Sequence, residues 1–476
     1  MPHLGIDRAE GMLDFWGEEC RQRHLVRYQL IETFQRFGYS LVELPLVEKT
    51  ELYLRKSGED IVAQIYDFVY HNRRLCLRPD VTTSVIRAYL KHFPVGSVQR
   101  FCYGGTVFRH EPTTNHHQFT QMGVELIGSN RPIADAEVIY TACAGLAKIG
   151  MANYSLVLGH IGILQQFLRK LNLSDRLVGI LLAGMELLHQ EGGKQKLENQ
   201  LRENYLTKPE TQQLAEVFGV MDEVSAREFI LELLSSLRIE INGNRDPQEI
   251  ADRLLSKLKH RDQTHKVLKA IEFMERLVQL RGQPQEVLPT AQELLNEYEI
   301  DPQPLRELNQ ILQILTAFYG QDHLPSYLSL DLGLTRGLQY YTGTIFALLD
   351  QRGNHLGGGG RYDDLVFTLG GNCATPATGF SLNLEMVCQA LPPPTHPIIS
   401  VSMTPPKPEL IHATIEIAQQ LRELLPVHMA LEDSVPAGTF MISVAGQNQC
   451  HLIDRRTELT YDLSVPQLLE FIANQL

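Results

Sequence analysis

Apolar positions first repeat at helical spacing between Glu19 and Phe37, at Leu25, Tyr28, Leu30, Ile31, Phe34 and Phe37, and Gly38 follows where a left-handed C-cap belongs. Ser40–Val47 reads as a strand. Pro45, which cannot donate to a ladder, marks it as an edge or interface strand. Short strands over Gln64–Tyr70 and Arg74–Leu77 are joined by His71-Asn72. A helix over Asp80–His92 turns Val85, Ile86, Tyr89 and Leu90 inward. Strands Val98–Tyr103 and Phe119–Ile127 flank the polar loop Pro112–His116, and Ala134–Ile149 is a second amphipathic helix.

Between residues 160 and 320 the pattern becomes helical throughout, in Leu-, Gln- and Glu-rich stretches from Ile161–Leu173 to Pro304–Tyr319, with Gln248–Leu258 among them. Few β-branched clusters interrupt it, so it reads as an all-helical insertion. Alternation returns after Asp331, in Gln339–Leu349 and the Gly-rich Gly353–Tyr362, before a helix over Ser381–Leu391 and a stiff linker, Pro392-Pro393-Pro394. Ile398–Leu476 then mixes short strands with helices at Glu409–Leu424 and Val465–Leu476. The expected division is a core in two parts, 1–159 and 325–392, a helical insertion at 160–324, and a small α/β domain at 396–476.

Composition narrows the function classes. Over 476 residues, 43% are hydrophobic and 21% charged, ordinary for a globular chain with a sizeable core. A net charge of −13 gives no global attraction to nucleic acid or to an anionic membrane. Seven scattered cysteines without Cys-x-x-Cys spacing suit reduced thiols. With no basic-then-apolar leader and no long apolar run, the expectation is a cytoplasmic protein without a membrane span. His110, His116 and His117 lack metal-ligand spacing, and neither a metal nor a cofactor is expected.

Three stretches could carry chemistry. In Phe108-Arg-His-Glu111, Arg109 can fork onto a carboxylate or phosphate, or simply pair with Glu111 across the strand. Gln121, Gly123 and Glu125 share one face of an otherwise apolar strand. That face suits a ligand pocket, with the glycine letting the ligand approach the backbone. Arg336, Tyr340 and Tyr341 fall together in a strand-and-turn stretch. The glycine run Gly357–Gly360 is followed by no Gly-Lys-Ser/Thr and reads as a tight turn or bulge. Asp80, ahead of an apolar helix, suits an N-cap.

Together these strings resemble the class II aminoacyl-tRNA synthetase core, specifically histidyl-tRNA synthetase and its catalytically altered relatives. The resemblance runs over Phe37–Glu48, Leu77-Arg-Pro-Asp-Val-Thr82, Phe108–Glu111, Gln121–Glu125, Arg336–Tyr341, Gly358–Tyr362 and Gly379-Phe-Ser-Leu. It implies an α+β (α/β) fold with an antiparallel sheet flanked by helices. It also implies an L-histidine site in which Asp80, Thr82 and Gln121 hold the α-amino group and Arg336 the carboxylate. Glu125 and Tyr341 grip the imidazole with Tyr340 and Tyr362 beside them, and Arg109 faces an α-phosphate. The paired hooks suit a zwitterion with an imidazole edge.

Departures from the pattern shape the functional expectation. Met386 and His117 stand where arginines are expected, and Asn383 replaces a glycine. From His396 onward there are four Lys/Arg against nine Asp/Glu, which argues against a tRNA-binding surface. The expectation is therefore no catalytic residue and no enzyme activity. The chain is expected to be a histidine-binding regulatory subunit of ATP phosphoribosyltransferase, partnering the short catalytic subunit around a homodimeric core. The alternatives are a divergent histidine–tRNA ligase and a stand-alone binding module.

Overall fold

Residues 7–57, 64–110, 116–204, 223–236, 263–320, 323–335, 340–392, 399–430 and 438–475 are described in a computed structural model. The chain divides into two units, Met1–Leu391 and Pro392–Leu476.

In the first unit, α1 (Gly17–Arg36) buries Val26, Leu30, Thr33 and Phe34 and leaves Leu25 and Tyr28 exposed. Ser40–Val47, expected as one strand, is instead β1 (Ser40–Leu41) and β2 (Val47–Lys49), in different sheets. The break lies at Leu44 and Pro45, whose carbonyls accept from the buried Arg78 guanidinium at 2.9 and 3.3 Å instead of from a ladder. Then come α2 (Thr50–Ser57), β3 (Asp67–Tyr70), β4 (Arg73–Leu77), α3 (Thr82–His92), β5 (Gln99–Phe108), β6 (Gln118–Ile127), α4 (Pro132–Lys148) and β7 (Tyr154–His160). His71 and Asn72 turn the β3–β4 hairpin with φ of 47° and 58°, the primed-turn conformation that suits a two-residue loop.

The helical stretch supplies α5 (Ile161–Lys170), α6 (Asp175–Leu188), α7 (Gly193–Asn204), α8 (Glu223–Ser236), α9 (Gln263–Gln279), α10 (Pro284–Glu297) and α11 (Gln303–Tyr319), with a two-residue strand β8 (Arg281–Gly282) between α9 and α10. The helix expected over Gln248–Leu258 lies outside the described residues. The core resumes with β9 (Leu328–Asp331), β10 (Thr344–Asp350), β11 (His355–Arg361), α12 (Leu365–Thr368), β12 (Ala377–Asn383) and α13 (Leu384–Ala390). His189 reaches Asp331 at 3.4 Å, and Leu332 N–H donates to Leu280 at 3.0 Å, so helices of this stretch grip the end of β9.

A nine-stranded sheet runs in the order β1-β5-β6-β12-β11-β10-β7-β9-β8, and its five central pairings, from β5·β6 to β10·β7, are antiparallel. Helices α1, α4 and α13 pack against it, with Phe34 edge-on to Phe380 at 5.5 Å. The glycine run is no turn. It is the middle of β11, flanked on both sides. A Cβ on Gly359 would lie 1.9 Å from the Gly379 carbonyl, so the two strands meet backbone to backbone. Beyond the run, Arg361 forms a buried ion pair with Asp135 of α4 at 2.5 Å.

The second unit is a five-stranded sheet of β13 (Val401–Met403), β14 (Val427–Met429), β15 (Phe440–Gly446), β16 (Gln449–Asp454) and β17 (Leu459–Ser464), with α14 (Ile411–Arg422) and α15 (Val465–Ala473). Its own core gathers Val401, Ile417, Phe440, Ile442, Leu452 and Leu468. Among the described residues no helix is long and apolar enough to cross a membrane.

Candidate functional site

The central strands and the start of α3 enclose a cavity of about 300 Å³. Its deep end is Glu125 on β6, only 1% exposed. One carboxylate oxygen accepts from the Thr82 hydroxyl at 2.6 Å and the Tyr103 phenol at 3.0 Å, and the other accepts from the Tyr362 phenol. A buried carboxylate needs such donors, because leaving it unpaired costs several kcal/mol (roughly 3–5). Burial first, and then the Glu125 charge, push the phenols of Tyr103 and Tyr362 well above their ordinary range, so both stay protonated donors.

The N-terminal turn of α3 is tied to the strands beneath it. Asp80 Oδ1 accepts from the Thr83 N–H and hydroxyl, both at 2.8 Å, which is the capping role expected for it. Gln121 Oε1 accepts from Val81 N–H at 3.0 Å, and Arg109 Nε donates to the Pro79 carbonyl at 2.7 Å. Asp80, Thr82, Gln121 and Arg109 therefore line one wall as a set. Tyr340 and Tyr341, with ring centroids 4.7 Å apart, line another, and Gln165 of α5 donates to the Tyr341 carbonyl at 2.9 Å. Gly357, Gly358 and Gly379 form a floor of bare main chain.

Toward solvent the wall is Arg109, Phe119, His116, His355, Asn383 and Met386. Arg109 sits 5.5 Å above the Phe119 ring. Asn383 caps α13 by accepting from Met386 N–H at 3.2 Å. His117 instead turns into the fold. It is buried, bonds the Tyr66 hydroxyl at 2.8 Å, and packs where a Cβ on Gly11 would lie 2.2 Å away.

Of the residues expected at the site, Asp80, Thr82, Arg109, Gln121, Glu125, Tyr340, Tyr341 and Tyr362 border this one cavity, and Arg336 and Glu111 lie outside the described residues. One reading changes. The space over Gly123, expected to admit a ligand, is filled by the Tyr103 ring, whose hydroxyl would be 2.7 Å from a Cβ there. Tyr103 and Gln165 were not foreseen. For Tyr103 the signal was a tyrosine inside an apolar strand, because a buried phenol requires an acceptor.

Fold and site together define a class II aminoacyl-tRNA synthetase-like core. A family model described as histidyl-tRNA synthetase matches residues 11–272 and 244–387 in overlapping stretches, and the chain belongs to that family. A histidine–tRNA ligase of Thermococcus kodakarensis is 30% identical over 393 residues, 81% of this chain and 74% of that one. Another, of Methanocaldococcus jannaschii, is 29% identical over 426 residues, covering 88% and 84%. Among solved structures, an ATP phosphoribosyltransferase regulatory subunit/histidyl-tRNA synthetase from Bacillus halodurans aligns over 90% of this chain and 93% of its own, with a TM-score of 0.62 and 22% identity. A histidyl-tRNA synthetase from Nostoc sp. aligns over 99% and 100%, with a TM-score of 0.63 and 16% identity. These two share the fold.

The relatives overturn the expectation of a chain without enzyme activity. Several at 28–30% identity over most of its length are named histidine–tRNA ligase, which points to an enzyme. That expectation rested on guanidinium groups missing at Met386 and His117. Arg109 nevertheless lines the cavity, so a cation able to meet a phosphate is still there.

Proposed function

We propose that the cavity binds free L-histidine. The observation that carries this reading is Glu125, a buried carboxylate held by three hydroxyls at the deep end of a cavity that also gathers Asp80 and Gln121. An imidazole N–H suits a fixed carboxylate acceptor, and an α-ammonium suits the Asp80–Gln121 wall. Tyr341 meets the second imidazole nitrogen, and Arg336 takes the carboxylate. Among the described residues, those that line it fall within 1–159 and 325–392. Calorimetric titration tests the reading: the protein binds L-histidine, and Glu125→Gln abolishes the heat. A wild-type protein that gives no heat with histidine sinks it.

The enzymatic reading that goes with this pocket is activation of histidine for tRNA, in the cytoplasm. It is supported by the names of the relatives and by Arg109 on the wall. Histidine-dependent ATP–pyrophosphate exchange is its assay. A second reading is a regulatory role beside a short-form ATP phosphoribosyltransferase catalytic subunit. It is favoured by Met386 where the family pattern expects an arginine, and by the name of the Bacillus halodurans protein. Co-purification of that subunit, with phosphoribosyl transfer that responds to histidine, tests it. In both cases the exposed Leu25, Tyr28 and Leu41 suit a homodimer face.

A further inference from the structure

We infer that Tyr103 is the positioning residue that aims Glu125 at the imidazole, and so sets the strength and pH range of histidine recognition. This rests on the histidine reading and adds a residue that does not itself border the cavity.

Tyr103 lies on β5 directly opposite Gly123 of β6, and Glu125 lies opposite Phe101. Its ring therefore crosses over Gly123 to reach Glu125 on the same face, one pleat further along. Only glycine allows this. A Cβ at 123 would lie 2.7 and 2.8 Å from the Tyr103 hydroxyl and Cζ, and 2.1 Å from the Phe380 carbonyl. Tyr103 is 1% exposed and donates to Glu125 Oε1 at 3.0 Å. Thr82 donates to the same oxygen, but its hydroxyl lines the cavity and is open to competition from a ligand. Tyr103 approaches from the closed side, where no ligand can displace it. Gly379 is fitted to the same carboxylate, since a Cβ there would fall 1.8 Å from Glu125 Oε2. Two glycines and a phenol thus leave the carboxylate one orientation.

The chemical consequence has a sign. A donor to the ionised carboxylate favours that form, so removing it raises the pKa of Glu125. The acceptor is then lost at a higher pH than in the native protein. Tyr103→Phe keeps the ring and removes only the donor.

The test is calorimetric titration of L-histidine into the full-length wild type and Tyr103→Phe across a range of pH. Affinity should fall about tenfold near neutrality, the order expected for a hydrogen bond to a charged group, and the ratio of the two affinities should widen as pH falls. Titration of the histidine ligand itself cancels in that ratio. A purely structural effect would give a ratio independent of pH, and that result, or unchanged affinity, overturns the inference. If the wild type fails to bind, the histidine reading has failed instead. Should Tyr103→Phe not fold, 3-fluorotyrosine at position 103, a stronger donor of nearly the same shape, should extend binding to lower pH; an unmoved pH profile overturns the inference.

Discussion

Glu125 is kept in place by what surrounds it more than by its own backbone. Gly379→Ala puts a methyl into the space of its carboxylate and within 2.5 Å of the Val124 carbonyl. We expect loss of histidine binding together with a lower melting temperature, from overpacking of about 1–3 kcal/mol or more. Titration paired with thermal unfolding would show both. At this scale the sequence was half legible. The polar face of β6 and the capping role of Asp80 follow from period and residue type. The purpose of Gly123 did not, because it depends on a tyrosine from a neighbouring strand, and strand pairing is not written in either segment alone.

Among the elements, the long helices and the strands with clear alternation were readable. The segments that escaped are short: among them the strands β7, β9, β12 and β17, of four to seven residues, and the helices α2 and α12. β11 was legible in part: Gly353–Tyr362 reads as strand, and only the glycine run inside it reads as a turn or bulge. Glycine has no side chain to alternate, so a central strand made of it looks like a turn. Two element-scale outcomes follow from the caps and latches. Asn383→Ala removes the cap of α13 and should cost about 1 kcal/mol, measurable by denaturant unfolding. His189, after α6, is hydrogen-bonded to Asp331 at the end of β9, which raises its pKa against the opposing effect of burial. A raised histidine pKa stabilises fully below the unfolded value, about 6.5, and is lost as pH rises through the folded one. The melting-temperature difference between wild type and His189→Gln should therefore be largest in acid and shrink toward alkaline pH. A constant difference refutes the latch.

At the scale of the molecule, every described residue bordering the cavity belongs to Met1–Leu391, and the acidic unit from Pro392 has its own core. A protein ending at Leu391 should bind histidine with unchanged affinity, and a large loss on titration would show that the cavity depends on the second unit. The floor of main chain carries one more implication. Where Gly357, Gly358 and Gly379 meet the ligand space there is no side chain to vary, and a replacement at Gly357 collides with the adjacent strand and one at Gly379 with Glu125. Drift in what such a protein accepts is therefore channelled to the mouth, to Phe119, His355 and Met386. A library meant to retrain its selectivity would do best to randomise those three and leave the bare backbone alone.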